Sequence, residues 1–366
     1  MKFSCDKNLL QEAVMTASRA SAGKSPIPVL EGLLIKAGNR ITVTGYDLKK
    51  GIFTSIDADI EEKGAIVIMA RLLVDIVRNL PDGEVTVTAD SENACRIVCG
   101  SLDFNIMGMD GEDFPELPAV DSVGSVNIPQ RTIKKMINET VFAVSDNESR
   151  PIYTGSLFEI TENELTIVSV DGYRLALRRE NADMGEAASF VVPGTALAEL
   201  EKICSDSDEM VKINLGSRHI SFTVDETVLI SRRLEGDFLD YKKTVPTEFE
   251  TSVIADRAEL MRVVDRVSPI IDDRTKNPLR LTFGDDNIKF FCMTPRGRAE
   301  DRCACDGKGG DLEIGFNNRY LRDALKAAPS DRLRIMLNSS SAPCVIKPEE
   351  GEDFLYMILP VRLRAD

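Results

Sequence analysis

Apolar residues along this chain follow two rhythms. Runs such as "ITVTGYDL" from Ile41, "LTIVSVDG" from Leu165 and "IKFFCMTP" from Ile288 alternate in the manner of strands with one buried face. "NLLQEAVMTA", "RTIKKMINETV" and "AELMRVVDRV" instead place apolar pairs four residues apart, Ile133 with Ile137 and Leu260 with Val264, as an amphipathic helix does. Other segments change rhythm midway. "IVIMARLLVDIV" from Ile66, "FVVPGTALAELE" from Phe190 and "EIGFNNRYLRDAL" from Glu313 each start as a short strand and continue as a helix.

The spacing of these segments makes them a repeat. The three strand stretches start 124 and 123 residues apart, and Leu73, Leu197 and Leu321 fall 124 apart, with Asp75, Glu199 and Asp323 two residues later. "MDGEDFPEL" from Met109 and "LEGDFLDYKKTVP" from Leu234 bring Gly, an acid and Phe at nearly the same phase, and the Pro-rich or polar joints "FPELPAVDSVGSVNIP" and "VPTEFETS" separate the units. Two helices and a set of alternating strands bury their apolar surfaces by laying the helices on one sheet face. The expected fold class is α+β, with three tandem copies of one domain over residues 1–121, 126–246 and 247–366. A length of 366 residues exceeds what a single core normally supports, in keeping with several domains.

Charge changes the picture in one respect. The net charge of −15 repels phosphate over the molecule as a whole, so any contact with nucleic acid must come from local clusters. Arg262 and Arg266 share a helix face, as do Arg319, Arg322 and Lys326; Arg71 with Arg78, Arg131 with Lys134 and Lys135, and Lys202 are sparser. Recurrence on corresponding helices points to a basic surface for a phosphate backbone, bound without reading bases. The start "MKFSCDKNLL" has no apolar core of a signal peptide and no run of about 18 apolar residues occurs, so a cytoplasmic location without membrane contact is expected. The eight cysteines are read as reduced thiols.

Catalytic chemistry finds little support. Cys303-Ala-Cys305 is the only tight cysteine pair, and the sole histidine, His219, lies in another segment, so neither a zinc site nor a serine–histidine pair assembles. Phosphate-binding glycine motifs are absent. Asp272-Asp273 and Asp285-Asp286 could hold magnesium in a nuclease, but they sit among turn residues. In "SVDGYRLALRRE", Asp171 has no partner for acid–base work that the sequence reveals, and residue types alone leave a structural strand turn open. No metal, cofactor or enzymatic activity is expected.

The repeats together with "SVDGYRLA", "LEGDFLDYKKTVP", "EIGFNNRYL" and the terminal "YMILPVRL" closely resemble the family of β sliding clamps, the processivity subunits of bacterial DNA polymerase III. The resemblance runs from Met1 nearly to the end. It implies a homodimer joined head to tail as a ring of six DNA-clamp domains around double-stranded DNA, helices inside and sheets outside, held without sequence preference. It implies further partners, the polymerase III alpha subunit, the clamp loader, other polymerases and repair proteins, each bound through a short linear peptide. Matching positions for the peptide pocket are Tyr153, Val170, Gly172, Tyr173, Arg174 and Leu175, then Leu239, Lys243 and Thr244, and then Asn317, Tyr320, Ser341 and Pro343. The tail residues Met357, Ile358, Leu359, Pro360, Val361 and Arg362 complete it. In that reading Gly172 turns the chain and Arg174 holds a carbonyl or acidic end of the peptide. For DNA the matching positions are Lys24, Arg71, Arg78 and Arg150, and for the subunit joint Phe104 and Ile106 against Ile270 and Ile271. The chain departs from the family at Leu239, where proline is frequent, and in the added Arg364-Ala365-Asp366. A metal-dependent nuclease and a peptide-binding scaffold that forms no ring are the rival classes.

Overall fold

A computed structural model of the protein describes residues 1–181, 187–271 and 277–363. The pair Asp272-Asp273 and the added Arg364-Ala365-Asp366 lie outside the described residues. Every strand pairing among the described residues is antiparallel, in sheets of five, nine and twelve strands.

The expected change from strand to helix occurs in each repeat. Gly64–Met69 leads into the helix Ala70–Asn79, Ala188–Pro193 into Gly194–Ile203, and Leu312–Phe316 into Asn318–Ala327. In the first and third repeats the opening helix is capped alike. Asp6 accepts from the amide of Asn8 at 2.8 Å ahead of Lys7–Ala17, and Asp256 accepts from that of Glu259 at 2.7 Å ahead of Arg257–Val267. Each bond satisfies an amide that the first helical turn leaves unpaired.

Contacts gather the chain into two compact units that cut across the three repeats, one of Met1–Lys134 with Thr195–Arg233 and one of Lys135–Gly194 with Leu234–Asp366. Strand exchange is the cause. Lys50–Ile56 of the first repeat pairs on one side with Ile41–Tyr46 and on the other with Thr227–Arg232, the last strand of the second repeat. Arg174–Asn181 of the second repeat pairs with Glu164–Val170 and with Phe354–Ile358, the last strand of the third. The corresponding strand of the third repeat, Gly297–Lys308, pairs with Asn287–Thr294 over Gly297–Ala304, and along that stretch no described strand covers its other edge. The strand of the first repeat that corresponds to these last strands, Leu102–Met107, ends the five-stranded sheet and likewise has a free edge among the described residues.

The first unit centres on Phe3, Leu10, Val14, Leu33, Leu73, Val77 and Ile97, the second on Val253, Leu260, Val264, Phe290, Phe316, Leu325 and Tyr356, all at most 1% exposed. Each such side chain contributes about 1.5–3 kcal/mol through burial. All eight cysteines are buried free thiols, and burial pushes Cys5, Cys204 and Cys303 up to about 12 and Cys95 and Cys305 to about 11. Cys303 and Cys305 alternate along one strand and both join the core, and no group of three or more His, Cys, Asp or Glu placed to hold a metal occurs among the described residues.

Candidate functional site

The turn between Glu164–Val170 and Arg174–Asn181 is built by Asp171. One carboxylate oxygen accepts from the amides of Tyr173 at 2.8 Å and Arg174 at 3.0 Å, while the other accepts from Nε of Arg174 at 3.0 Å. Gly172 takes φ +92°, a conformation that a side chain disfavours even though the space beside it is open. Arg174 is only 6% exposed. Its Nη1 donates to Asp323 at 2.6 Å and its guanidinium carbon lies 4.6 Å from the Tyr320 ring centroid and 5.4 Å from that of Phe142. Both charges of the turn are thereby neutralised. Asp171 is thereby committed to the turn, and Arg174, expected to hold a carbonyl or acidic end of a peptide, already donates from Nε and Nη1 to two carboxylates. Arg174 is a buried strut that fixes the turn to the helix Asn318–Ala327.

What the strut presents is Tyr173, 62% exposed, with its ring centroid 6.3 Å from that of Tyr320. The tail runs past it, since the Leu359 amide donates to the Tyr173 carbonyl at 2.8 Å and the Val361 amide to that of Gly315 at 2.8 Å. Tyr173, Tyr320, Asn317, Leu359, Pro360 and Val361, with Ile271, Asn277, Pro278, Asn318 and Arg319, line a cavity of about 490 Å³. Asn317 also caps the helix Asn318–Ala327, accepting from the Arg319 amide at 2.9 Å.

Beside this cavity lies an apolar floor. Leu175 stands opposite Met357 and Leu177 opposite Leu355, and these four pack with Val168, Val170 and Val345 under Tyr153, Phe238, Leu239 and Ile152. Tyr153 and Phe238 meet edge to face with centroids 5.7 Å apart. Successive strand residues point to opposite faces, so Ile358, next to Met357, enters the helix-side core with Tyr356. Ile358 is accordingly removed from the pocket. Lys243 and Thr244 turn to Asp240 instead, the ammonium at 2.6 Å from its carboxylate and the hydroxyl donating to its carbonyl at 3.0 Å. Ser341 is exposed, Pro343 half-buried and Arg362 exposed. Sequence reasoning missed Phe238, Ile152, Asp323 and Phe142. Phe238 lies inside the quoted "LEGDFLDYKKTVP", whereas Asp323 is 149 residues from the arginine it holds.

The cations divide by whether a partner is at hand. Arg71 and Arg78 stand exposed, seven residues apart on Ala70–Asn79, and they, Lys24 and Arg150 form no ion pair with any described residue. The third-repeat helices differ. Arg262 pairs with Glu259 and Arg266 with Asp301, each at 2.6 Å, Arg322 with Asp265 at 3.0 Å and Arg319 with Asp323 at 3.8 Å. The basic face expected there is neutralised locally except for Lys326. Phe104 and Ile106 are half-buried on the free-edged strand Leu102–Met107, and Ile270 and Ile271 half-buried at the end of the 3₁₀ turn Ser268–Ile270.

Comparison with known proteins covers the whole length. Family models of the DNA polymerase III beta subunit match residues 1–118 (N-terminal domain), 127–240 (central domain) and 242–362 (C-terminal domain). The chain is 31% identical over 374 aligned residues to the beta sliding clamp of Staphylococcus aureus, covering 99% of both chains. Among solved structures it resembles the DNA polymerase sliding clamp of Bacillus subtilis (TM-score 0.95, 30% identity, 100% of both chains). It also resembles a Pseudomonas aeruginosa sliding clamp bound to griselimycin (TM-score 0.93, 26% identity, 99% of this chain and 100% of the other).

Proposed function

The chain belongs to the DNA polymerase III beta subunit family, the sliding clamps, and from that premise we propose how its own residues perform the work. The protein is a non-catalytic processivity factor built of three clamp domains, here assigned to residues 1–121, 126–246 and 247–366 and to the cytoplasm. Two copies join into a closed ring that holds duplex DNA and tethers the polymerase.

The observation that carries the ring is the progression of strand pairings. The strand Lys50–Ile56 takes its outer partner from the following repeat, and so does Arg174–Asn181. By the same rule Gly297–Ala304 calls for the corresponding strand of a first repeat, which within this chain is the free-edged Leu102–Met107. Supplied by a second copy, that strand completes the sheet, and Phe104 and Ile106 then meet Ile270 and Ile271 of the other protomer. Such a contact is head to tail, and closure at two copies leaves no free edge to grow a filament.

Lys24, Arg71, Arg78 and Arg150, whose side chains form no ion pair with any described residue, are proposed to meet the phosphate backbone. Such contacts position DNA and carry no sequence information. The apolar floor around Val170, Leu175 and Met357, with Tyr153, Tyr173, Leu239, Tyr320, Leu359, Pro360 and Val361 about it, is proposed to receive an apolar anchor from short peptides. The polymerase III alpha subunit, the clamp loader, other polymerases and repair proteins would supply these peptides. An apolar concavity with few polar groups suits such an anchor. The test loads the protein onto nicked circular DNA with a clamp loader and then linearises the circle. A ring remains bound to circles and runs off linear ends, whereas retention on the linear product, or cleavage of DNA dependent on a divalent metal, refutes the reading.

A further inference from the structure

The turn Asp171–Arg174 has a counterpart in the first repeat. Asp47 accepts from the amides of Lys49 at 2.9 Å and Lys50 at 2.7 Å and pairs with the Lys50 ammonium at 3.0 Å, as Asp171 does with Tyr173 and Arg174. The amide of Arg232 donates to the Lys49 carbonyl at 3.1 Å, where in the second unit Leu359 donates to Tyr173. The same backbone arrangement therefore occurs twice, with opposite chemistry. Lys49 stands where Tyr173 stands, and Arg232 where Leu359 stands.

Further cations gather there. His219 lies directly opposite Arg232 across the strand pair, and the Arg233 amide donates to the Arg218 carbonyl at 2.9 Å. Lys49, Arg218 and Arg232 are exposed, and none forms an ion pair with a described residue. Asp47 is committed to Lys50, and exposed Asp121, whose carbonyl lies beside Gly216, pairs with none of the three. Partial burial, and after it the positive charges of Arg232 and Arg218, lower the pKa of His219, which agrees with their closeness.

We propose that Lys49, Arg218 and Arg232 form a docking surface for a short acidic peptide segment of a partner protein, distinct from the apolar pocket. Charge complementarity carries the choice of occupant. Arg232 ends the strand Thr227–Arg232, and Lys49 and Arg218 sit in the turns that lead into its two neighbours, Lys50–Ile56 and His219–Val224, so ordinary strand spacing sets the three cations over about 10 Å, a width matching a few carboxylates. Well-exposed aromatic rings are what single-stranded nucleic acid stacks on, and the one among the described residues, Tyr173, belongs to the other site. A long polyanion would also run beyond the patch over a protein of net charge −15.

The experiment measures fluorescence anisotropy of a labelled decapeptide of alternating Asp and Ser at low salt. It uses full-length protein, an Asn-Ser control peptide and a ten-nucleotide oligothymidylate. The acidic peptide should bind the wild type, and the triple variant Lys49→Gln, Arg218→Gln, Arg232→Gln, with its melting curve unchanged, should bind it about tenfold more weakly, since each exposed ion pair contributes modestly. Arg71→Gln with Arg78→Gln, and Leu359→Ala, should leave that affinity intact. The proposal is overturned by no binding to the wild type, by equal affinity in the triple variant, or by an equal loss in the Arg71/Arg78 control. Tighter binding of oligothymidylate with the same loss would overturn it too, making the patch a nucleic-acid surface.

Discussion

Arg174 shows how little a motif reveals without its burial. Removing one partner of a buried ion pair typically costs about 3 kcal/mol or more, because the remaining charges lose their compensation. Arg174→Ala should therefore lower thermal stability and disorder Tyr173, visible as a lower melting midpoint together with weaker peptide binding. Leu359→Ala, at a half-buried tail position, should weaken a polymerase-derived peptide about tenfold in anisotropy titrations with the melting curve nearly unchanged. A second buried ion pair has a pH signature. Glu139 lies 3.0 Å from Nε of Arg178, both nearly inaccessible, and neither the Glu139 oxygen facing it nor the buried Tyr356 hydroxyl has a well-aligned hydrogen bond. Desolvation outweighs the attraction of Arg178 and pushes the Glu139 carboxyl up to about 7. The folded state then holds a proton that the unfolded state has released above the ordinary carboxylate range. This contribution is complete at acid pH and disappears as pH rises towards 7. Melting curves from pH 4.5 to 7.5 should show that component in the wild type and lack it in Glu139→Gln; parallel pH profiles would refute the assignment.

Among the elements, much was legible and the reasons are physical. Alternation and four-residue periodicity located the strands and helices because burial imposes them, and the equal spacing of three segment kinds exposed the repeat. The Asp171-Gly172 turn was visible because its chemistry is local. The partner of a strand edge was not, since backbone hydrogen bonds are the same for every residue, so Lys50–Ile56 with Thr227–Arg232 could not be foreseen. Ile358 was misplaced because a matched position names a residue without its face. The basic helices of the third repeat were overvalued because Arg266 and Arg322 meet acids distant in sequence, Asp301 and Asp265. The prediction at this scale concerns the free edges. Ile270→Asp with Ile271→Asp should yield a folded monomer, read as half the wild-type mass in sedimentation velocity with far-UV dichroism retained, because charge cannot be desolvated cheaply at a packed joint. A persisting dimer would show that the joint lies elsewhere.

For the whole molecule, an acidic protein that holds DNA must rely on a few unpaired cations. Affinity for open duplex should fall steeply between about 50 and 200 mM salt whatever the base sequence. Replacing Arg71 and Arg78 by Gln should flatten the logarithmic salt slope by roughly one for each phosphate that the variant no longer neutralises. A base-sequence preference at fixed salt would contradict a surface that touches only phosphates.

The buried cysteines also make the protein its own recorder of partial unfolding. Cys5, Cys95, Cys99 and Cys204 fall in one compact unit and Cys292, Cys303, Cys305 and Cys344 in the other, four in each. A thiol reagent can reach them only through opening events, so site-resolved mass spectrometry of alkylation over time reads the free energy of each opening. Cys204 is the discriminating site. If it reacts in step with Cys5, Cys95 and Cys99, the strands exchanged between repeats have fused parts of two domains into one cooperative body; if it keeps its own time, each domain opens alone and the ring can breathe at one joint while the others stay shut.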